Sequence, residues 1–347
     1  MSRIISFLKL IRLKNLIIVA LTQYLIKYNL INDFVNDFVL SDFNFSLLVF
    51  TTLLITAGGY IINDIYDVDT DKINKNESLI IDKYISAKQA MWWYFSLNTT
   101  GLVVGIYLAF IVGSPILSII FIYSIYSLWT YSKKFKKSLL IGNLQVAFLT
   151  SLSILNVVIF DVTREFFTLL MNFGWTIYSH LGPDAWGYFI RKESIEPINN
   201  PIILYIIIFY AGFSFLITFI REIMKDLEDM EGDKKINAKT LAITYGIEKT
   251  KWIALVFTIL TFSGIAYFQY FQYSVLCSTF SVELSYWGVN KIAVFYAFFL
   301  QVLFLFLGFK IYHSQIKTDF YFISQLCKFI MIVGILSIPL FTYLHLN

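Results

Sequence analysis

The sequence has few charged residues, and this scarcity excludes several classes of protein. Asp, Glu, Lys and Arg together make up 14% of the 347 residues, against about 25% in an ordinary soluble domain. A disordered chain would be more polar and more charged, and a soluble globule of this size could not bury a hydrophobic fraction of 58%. The two cysteines, Cys277 and Cys327, are too few for a disulfide-stabilised scaffold. The class that remains is a helical membrane protein with several spans.

Long apolar runs are abundant, and they predict an all-α fold with about nine transmembrane helices. Each run is long enough for a span of about 20 residues. The runs cover residues 14–31, 45–63, 90–112, 115–131, 139–160, 201–223, 250–270, 291–312 and 321–344. Only Gly113, Ser114 and Pro115 lie at the boundary between the third and fourth runs, which predicts a sharp reversal there. We expect residues 1–347 to form a single transmembrane domain.

The segment 161–200 interrupts this pattern, because it mixes charged residues with short apolar stretches. We interpret it as an insert on the outer side that contains an amphipathic interfacial helix. The insert separates two pseudo-repeat halves, at about 10–160 and 201–344.

Basic residues are distributed unevenly over the connecting segments, and this predicts the orientation of the chain. Of the 27 basic residues, 22 lie in alternate segments, namely the N-terminus, 64–89, 132–138, 221–251 and 310–328. Loops rich in Lys and Arg remain in the cytoplasm. We therefore expect an integral protein of the cytoplasmic membrane with its N-terminus inside, and nine spans then place its C-terminus outside.

Acidic residues are concentrated in two short windows, 64–71 and 222–233, which hold ten of the 23 in the chain. Each window contains three aspartates at offsets 0, 3 and 7. They are Asp64, Asp67 and Asp71 in the first window and Asp226, Asp229 and Asp233 in the second. On a helix these offsets place three carboxylates on one face, where like charges repel. Such repulsion is tolerated when a cation lies between the carboxylates.

The kind of cation follows from the ligand atoms. Carboxylate oxygens without His or Cys favour Mg²⁺, Mn²⁺ or Ca²⁺ over zinc. Four predicted spans separate the two windows, so both face the cytoplasm and can face each other across one cavity. Because Mg²⁺ completes its ligand shell with water and substrate phosphates, two carboxylate walls beside Lys and Arg predict a diphosphate site.

The two windows also form recognisable motifs. With the preceding asparagine, the first reads Asn-Asp-x-x-Asp-x-x-x-Asp, and the second contains Asp-x-x-Asp-x-x-Gly-Asp. These patterns resemble the Asp-rich motifs of the UbiA superfamily of intramembrane prenyltransferases. The matching residues are Asn63, Asp64, Asp67, Asp71, Asp226, Asp229, Gly232 and Asp233.

Shorter segments extend the resemblance, which covers residues from about 10 to 250. Residues 131–136, followed by Gly142-Asn143, resemble the Tyr/Lys loop and the Gly-Asn pair of the family. Arg12 and Asn15 resemble its early Arg-x-x-Asn element.

The chain departs from the family pattern at two places. The segment 74–76 reads Asn-Lys-Asn and lacks the usual proline, so that Lys75 stands where relatives often have arginine. Phe135 occupies the usual lysine position, with Lys134 and Lys136 as its neighbours. These departures bear on the identity of the substrate more than on the type of reaction.

The resemblance implies Mg²⁺-dependent transfer of a prenyl group from an isoprenyl diphosphate to a lipophilic acceptor, with release of diphosphate. It implies two Mg²⁺ ions, a central cavity, and membrane lipids as surroundings, but no nucleic acid and no obligate protein partner. Residues 221–241 look most like the lipid-making branch, which transfers a geranylgeranyl-type group to a glycerol-phosphate lipid. Quinone-making branches, with hydroxybenzoate or dihydroxynaphthoate acceptors, are the alternative. A secondary transporter is a more remote alternative, because the substrate sites of transporters usually lie near the middle of the membrane spans, whereas the two acidic windows here lie near the ends of predicted spans.

The resemblance also implies roles for single residues. The expected metal ligands are Asn63, Asp64, Asp67, Asp71, Asp226, Asp229 and Asp233, among which Asp67, Asp71, Asp229 and Asp233 are the expected catalytic residues. The expected diphosphate contacts are Lys75, Lys134, Lys136, Arg221, Lys225 and Lys239. The expected acceptor contacts are Asn15, Tyr131 and Asn143.

Overall fold

The computed structural model describes residues 3–32, 39–74, 79–162, 201–274 and 290–346. These residues form eleven α-helices. The helices are α1 (Arg3–Leu10), α2 (Leu13–Ile26), α3 (Asp42–Asn74), α4 (Ala87–Ile111), α5 (Ser118–Lys133), α6 (Ile141–Asp161), α7 (Pro201–Glu228), α8 (Met230–Lys235), α9 (Leu241–Ser274), α10 (Lys291–His313) and α11 (Lys317–Leu346). A π-helix, Lys27–Ile31, continues α2, and 3₁₀ turns at Pro115–Leu117 and Phe135–Lys137 precede α5 and α6. The all-α prediction is confirmed.

Eight of the helices in the described ranges are long and apolar enough to cross a membrane. They are α3, α4, α5, α6, α7, α9, α10 and α11. The first predicted span, 14–31, coincides with α2 and its π-helical continuation, two elements of 14 and 5 residues. Many large apolar side chains on the outer surface of these helices are exposed, for example Phe295 and Phe298 on α10. Such a surface is suited to lipid rather than to water.

Helix ends explain how the chain reverses between spans. The side chain of Ser86 caps α4 by accepting a hydrogen bond from the backbone N–H of Gln89 (3.2 Å). After α4, Gly113 has a φ of 72°, a left-handed conformation that glycine adopts without strain. Pro115 then stands in the first position of the 3₁₀ turn, which confirms the sharp reversal that the sequence predicts there.

The two aspartate clusters lie on different kinds of structure. α3 continues to Asn74, beyond the predicted span end at 63, so that the first cluster is carried on one unbroken helix. In the second cluster, α7 ends at Glu228 and Asp229 lies between α7 and α8, with φ of −93° and ψ of 4°. The expectation that its three carboxylates share one helical face is therefore wrong for the second cluster, because the helix is interrupted within the motif.

Helix packing brings the two clusters together. α3 packs against α4 and α5 in the first half, and α7 packs against α6, α9 and α11. The short helix α8 contacts α3 directly, so the second cluster meets the first. Residues 163–200, with the predicted amphipathic helix, lie outside the described residues, as do Lys75 and Cys277.

Candidate active site

A cavity of about 630 Å³ lies between α2, α3, α5, α6, α7 and α11. Ionisable side chains concentrate at one end, where Asp67 and Asp71 lie near the end of α3. Along the same helix the lining changes to Ile55 and Thr52. Fifteen residues separate Asp67 from Thr52, which is roughly 22 Å of helix. The cavity therefore joins a charged mouth to a long, mainly apolar channel.

Five of the predicted carboxylates line this cavity. They are Asp64, Asp67, Asp71, Asp229 and Asp233. Asp226 is not part of the lining, and its Oδ2 accepts a hydrogen bond from Nδ2 of Asn143 (2.8 Å). Of the three aspartates in its motif, only Asp226 is therefore outside the cavity lining.

Two cations pair with carboxylates of the first cluster. Nζ of Lys136 forms an ion pair with Oδ2 of Asp67, and the guanidinium of Arg12 donates to Oδ1 of Asp64 (2.8 Å). Arg12 has a φ of 51° in the turn before α2, a conformation that is uncommon for a residue other than glycine. Burial alone would lower the pKa of Lys136, but the Asp67 carboxylate more than compensates, and the pKa lies above its ordinary value.

Asn63 orients the Asp67 carboxylate by donating from Nδ2 to Oδ2 (2.6 Å). The other amide atom, Oδ1, is buried and has no hydrogen-bond partner within the described part of the chain. A buried acceptor without a partner is costly, and Asn63 lines the cavity. Its oxygen therefore suits a cation that enters the cavity.

One carboxylate of the cavity wall, Glu222, is not among the residues that the motifs predict. Glu222 is 5% exposed and forms ion pairs with Arg221 (2.5 Å) and Lys225 (3.1 Å). All three side chains line the cavity. Glu222 lies in the second acidic window but outside the regular aspartate spacing, which is why the motif did not single it out.

Two cavity lysines were also missed, Lys9 and Lys328. Lys328 had a signal, since an ionisable residue within an apolar run such as 321–344 is a functional candidate by default. Lys9 had none that distinguishes it from other basic residues at the N-terminus.

The remaining predicted residues divide into those inside and those outside the cavity wall. Asn15 and Tyr131 line the cavity, and Nδ2 of Asn15 is 3.4 Å from the Tyr60 hydroxyl. Lys134 and Lys239 are exposed and do not belong to the lining.

The residues present fit Mg²⁺ by ligand chemistry. The lining supplies carboxylate and amide oxygens from two chain segments and no His or Cys in the described ranges. The described residues hold no group of three or more His, Cys, Asp or Glu side chains close enough to hold one metal ion. Lys136 and Arg12 lie among the carboxylates of the first cluster instead.

Comparison with known proteins identifies the family. The model of the UbiA prenyltransferase family matches residues 17–326. The chain belongs to this family. It is therefore a membrane-embedded prenyltransferase, and the resemblance of its aspartate motifs to this family is confirmed.

Three relatives share one name. A digeranylgeranylglyceryl phosphate synthase of Methanococcoides burtonii is 29% identical over 337 residues, which are 96% of this chain and 98% of the relative. The protein of that name from Sulfolobus acidocaldarius is 29% identical over 80% of this chain and 84% of its own. In Saccharolobus solfataricus the identity is 35% over 60% of this chain and 58% of the relative.

Solved structures share the fold. A structure of digeranylgeranylglyceryl phosphate synthase covers 99% of both chains with a TM-score of 0.60 and 23% identity. A UbiA homolog from Archaeoglobus fulgidus, bound to GPP and Mg²⁺, has a TM-score of 0.56 and 13% identity over 96% of this chain and 99% of that one.

Proposed function

We propose that this protein transfers a geranylgeranyl group from geranylgeranyl diphosphate to a glyceryl phosphate lipid and releases diphosphate. The observation that carries the proposal is the cavity itself, in which carboxylates of both motifs meet at the mouth of a channel roughly 22 Å long. The near full-length similarity to digeranylgeranylglyceryl phosphate synthases supports the choice of substrates.

The mouth of the cavity would bind the diphosphate group. Asn63, Asp67 and Asp71 would hold one Mg²⁺, and Asp229 and Asp233 a second. When bound, Mg²⁺ would neutralise the charge that develops on the departing diphosphate. Asp64 and Asp226 would support these ligands from their bonds to Arg12 and Asn143.

Lysine and arginine side chains would complete the phosphate contacts. Lys136 is held at the cavity wall by Asp67 and Lys225 is held there by Glu222, and both would contact the diphosphate. Arg221, which also pairs with Glu222, lies one helical turn farther from Asp229 along α7. Lys75, Lys134 and Lys239 stay proposed contacts from the sequence. Lys134 and Lys239 are exposed outside the wall, and Lys75 lies outside the described residues.

The channel would hold the prenyl chain away from water. Its apolar lining includes Ile18, Val19, Ile55 and Leu149. Tyr60 and Tyr131 lie nearer the charged mouth, and electron-rich ring faces attract the cation that develops on the prenyl group. Asn15, beside Tyr60, would contact the acceptor.

We also infer the placement of the chain in the membrane. α2 and its π-helical continuation would act as a ninth span, because together they cover 13–31. The excess of basic residues in alternate loops supports a cytoplasmic N-terminus, a cytoplasmic active site and an outer C-terminus.

Purified protein in detergent, incubated with geranylgeranyl diphosphate, Mg²⁺ and a panel of acceptors, tests the proposal. We expect product with geranylgeranylglyceryl phosphate, and loss of turnover in Asp67→Ala and Asp229→Ala. Asp69→Ala is the matched control, since Asp69 lies between two cluster residues on α3 but points to solvent, with 93% of its side chain exposed. Turnover only with hydroxybenzoate or dihydroxynaphthoate would instead favour a quinone-making enzyme.

A further inference from the structure

One wall of the cavity, formed by α7 and α11, carries more positive charge than its own carboxylate neutralises. Arg221 and Lys225 share Glu222 as their ion-pair partner. Lys328, on α11, is half-buried and lines the same cavity. Its charge interacts with those of Arg221 and Lys225, and less strongly with those of Arg12 and Glu222, and in the described segments it forms no hydrogen bond and no ion pair within 4 Å. Three cations around one carboxylate leave two positive charges in surplus.

The same wall contains buried donors that nothing satisfies. Nε of Arg221 and the hydroxyl of Thr218 have no hydrogen-bond partner among the described residues. Thr218 is only 4% exposed, yet it lines the cavity one helical turn from Arg221. Buried polar groups are normally hydrogen-bonded, so unsatisfied donors beside an unpaired ammonium indicate the place of an anionic ligand.

This wall is distinct from the place where the carboxylates meet. Eight residues of α7 and its end separate Arg221 from Asp229, which is about 12 Å of helix. An anion bound by Thr218, Arg221 and Lys328 would therefore lie beside the Mg²⁺ ligands rather than among them. In a glyceryl phosphate lipid only a few bonds separate the phosphate from the reacting hydroxyl, so its phosphate needs a site beside the diphosphate.

We propose that Thr218, Arg221 and Lys328 bind the phosphate monoester of the acceptor. The proposal rests on the proposed function and names the group that would select a glyceryl phosphate lipid over a neutral acceptor. A phosphate dianion matches the two surplus charges, and its oxygens accept from the guanidinium, the ammonium and the hydroxyl. Hydrogen bonds in which a partner is charged are stronger than those between two neutral groups.

Steady-state kinetics of Lys328→Met with geranylgeranyl diphosphate and geranylgeranylglyceryl phosphate test this site. We expect KM for the acceptor to rise about tenfold or more, which corresponds to one charged hydrogen bond, while KM for the diphosphate stays within about twofold. Thr218→Val should shift the same parameter less. Lys328→Arg should restore most of the acceptor affinity. Lys317→Met is the matched control, because Lys317 is an exposed lysine of the same helix outside the cavity.

A phosphate-free acceptor, geranylgeranylglycerol, provides the second arm. If Lys328 contacts the acceptor phosphate, Lys328→Met should lose little further activity toward geranylgeranylglycerol. An equal loss with both acceptors, or a rise in KM for the diphosphate alone, would overturn the proposed subsite. If the wild-type protein itself makes no product from geranylgeranylglyceryl phosphate, the proposed function fails, and the subsite that rests on it fails as well.

Discussion

Lys136 supplies a positive charge to the first aspartate cluster, because its ammonium forms an ion pair with Asp67 at the cavity wall. Lys136→Met removes this charge next to the proposed diphosphate position. Removing one preorganised charged contact typically costs about 100-fold or more in turnover, and we expect a loss of that size in kcat/KM for the diphosphate. Lys133, an exposed lysine outside the cavity lining, provides the control, because Lys133→Met should stay within about twofold. Equal effects of the two substitutions would contradict the role of Lys136.

The ion pair between Lys136 and Asp67 also leads to a prediction about the pH dependence of stability. The pKa of Lys136 is raised above its ordinary value because the Asp67 carboxylate outweighs the effect of burial. A lysine whose pKa is raised in the folded state stabilises the protein fully at any pH below its pKa in the unfolded state, which is about 10.4. This stabilisation is lost only as the pH rises through the folded-state pKa. The difference in Tm between wild type and Lys136→Met should therefore stay constant from about pH 7 to pH 10. A difference that shrinks within this range would contradict the prediction.

Gly105 packs directly against a residue of the cavity wall. A Cβ added at Gly105 would overlap the ring of Phe121, which lines the cavity and packs on Phe160 at a centroid distance of 5.2 Å. In Gly105→Ala the Phe121 ring should move into the channel, so kcat/KM should fall more for geranylgeranyl than for farnesyl or geranyl diphosphate. The control is Gly212→Ala, where a Cβ meets no atom within 4 Å. An equal loss with all three donors would show that the substitution acts on stability alone.

The aspartate residues of the site were predictable, whereas their partners were not. Regular spacing identified Asp67 and Asp229 because helical periodicity relates sequence offset to position on a face. The pairing of Lys136 with Asp67 joins residues 69 positions apart, and no local pattern reports such a contact. The place of Glu222 in the site became recognisable only when helix packing put it on the same cavity wall as Lys328.

At the scale of single elements, one buried ion pair joins α2 to α6. Lys27, at the start of the π-helix, contacts Asp161, at the end of α6, at 2.5 Å, and both side chains are fully buried. Asp161 also accepts a hydrogen bond from the backbone N–H of Leu40 (3.1 Å). Lys27 therefore joins two helices of the described bundle.

Breaking this pair should destabilise the protein. Lys27→Met leaves a buried carboxylate without its cation, which typically costs about 3–5 kcal/mol. We expect a marked fall in Tm in detergent for Lys27→Met and for Asp161→Leu. The double variant should recover part of the loss, because two apolar side chains carry no buried charge. Additive losses in the double variant would contradict direct coupling of the two residues.

The predicted elements were right where hydrophobicity alone decides, as in α10 and the reversal at Gly113. They were wrong in detail where tertiary contacts decide. The interruption of the helix at Asp229 coincides with the packing of α8 against α3. A sequence window that spans only one helix has no information about that packing.

At the scale of the whole molecule, the charges of the cavity lining sum to zero, but the positive and negative charges lie on different sides. Its lining holds six carboxylates and six cations among the described residues. The carboxylates are Asp64, Asp67, Asp71, Glu222, Asp229 and Asp233, and the cations are Lys9, Arg12, Lys136, Arg221, Lys225 and Lys328. The side formed by α7 and α11 has an excess of positive charge, and the side of the aspartate motifs has an equal excess of negative charge.

This separation of charge has a thermodynamic consequence. A metal ion that binds alone gives the cavity a net positive charge, and a diphosphate that binds alone gives it a net negative charge, so each should bind more strongly when the other is present. Linkage requires the two enhancements to be equal. Titration calorimetry should show the same factor, about fivefold to 150-fold, when Mg²⁺ is titrated with and without inorganic diphosphate and in the reverse order. If Mg²⁺ and inorganic diphosphate bind independently of each other, the charges on the two sides of the cavity are not energetically coupled.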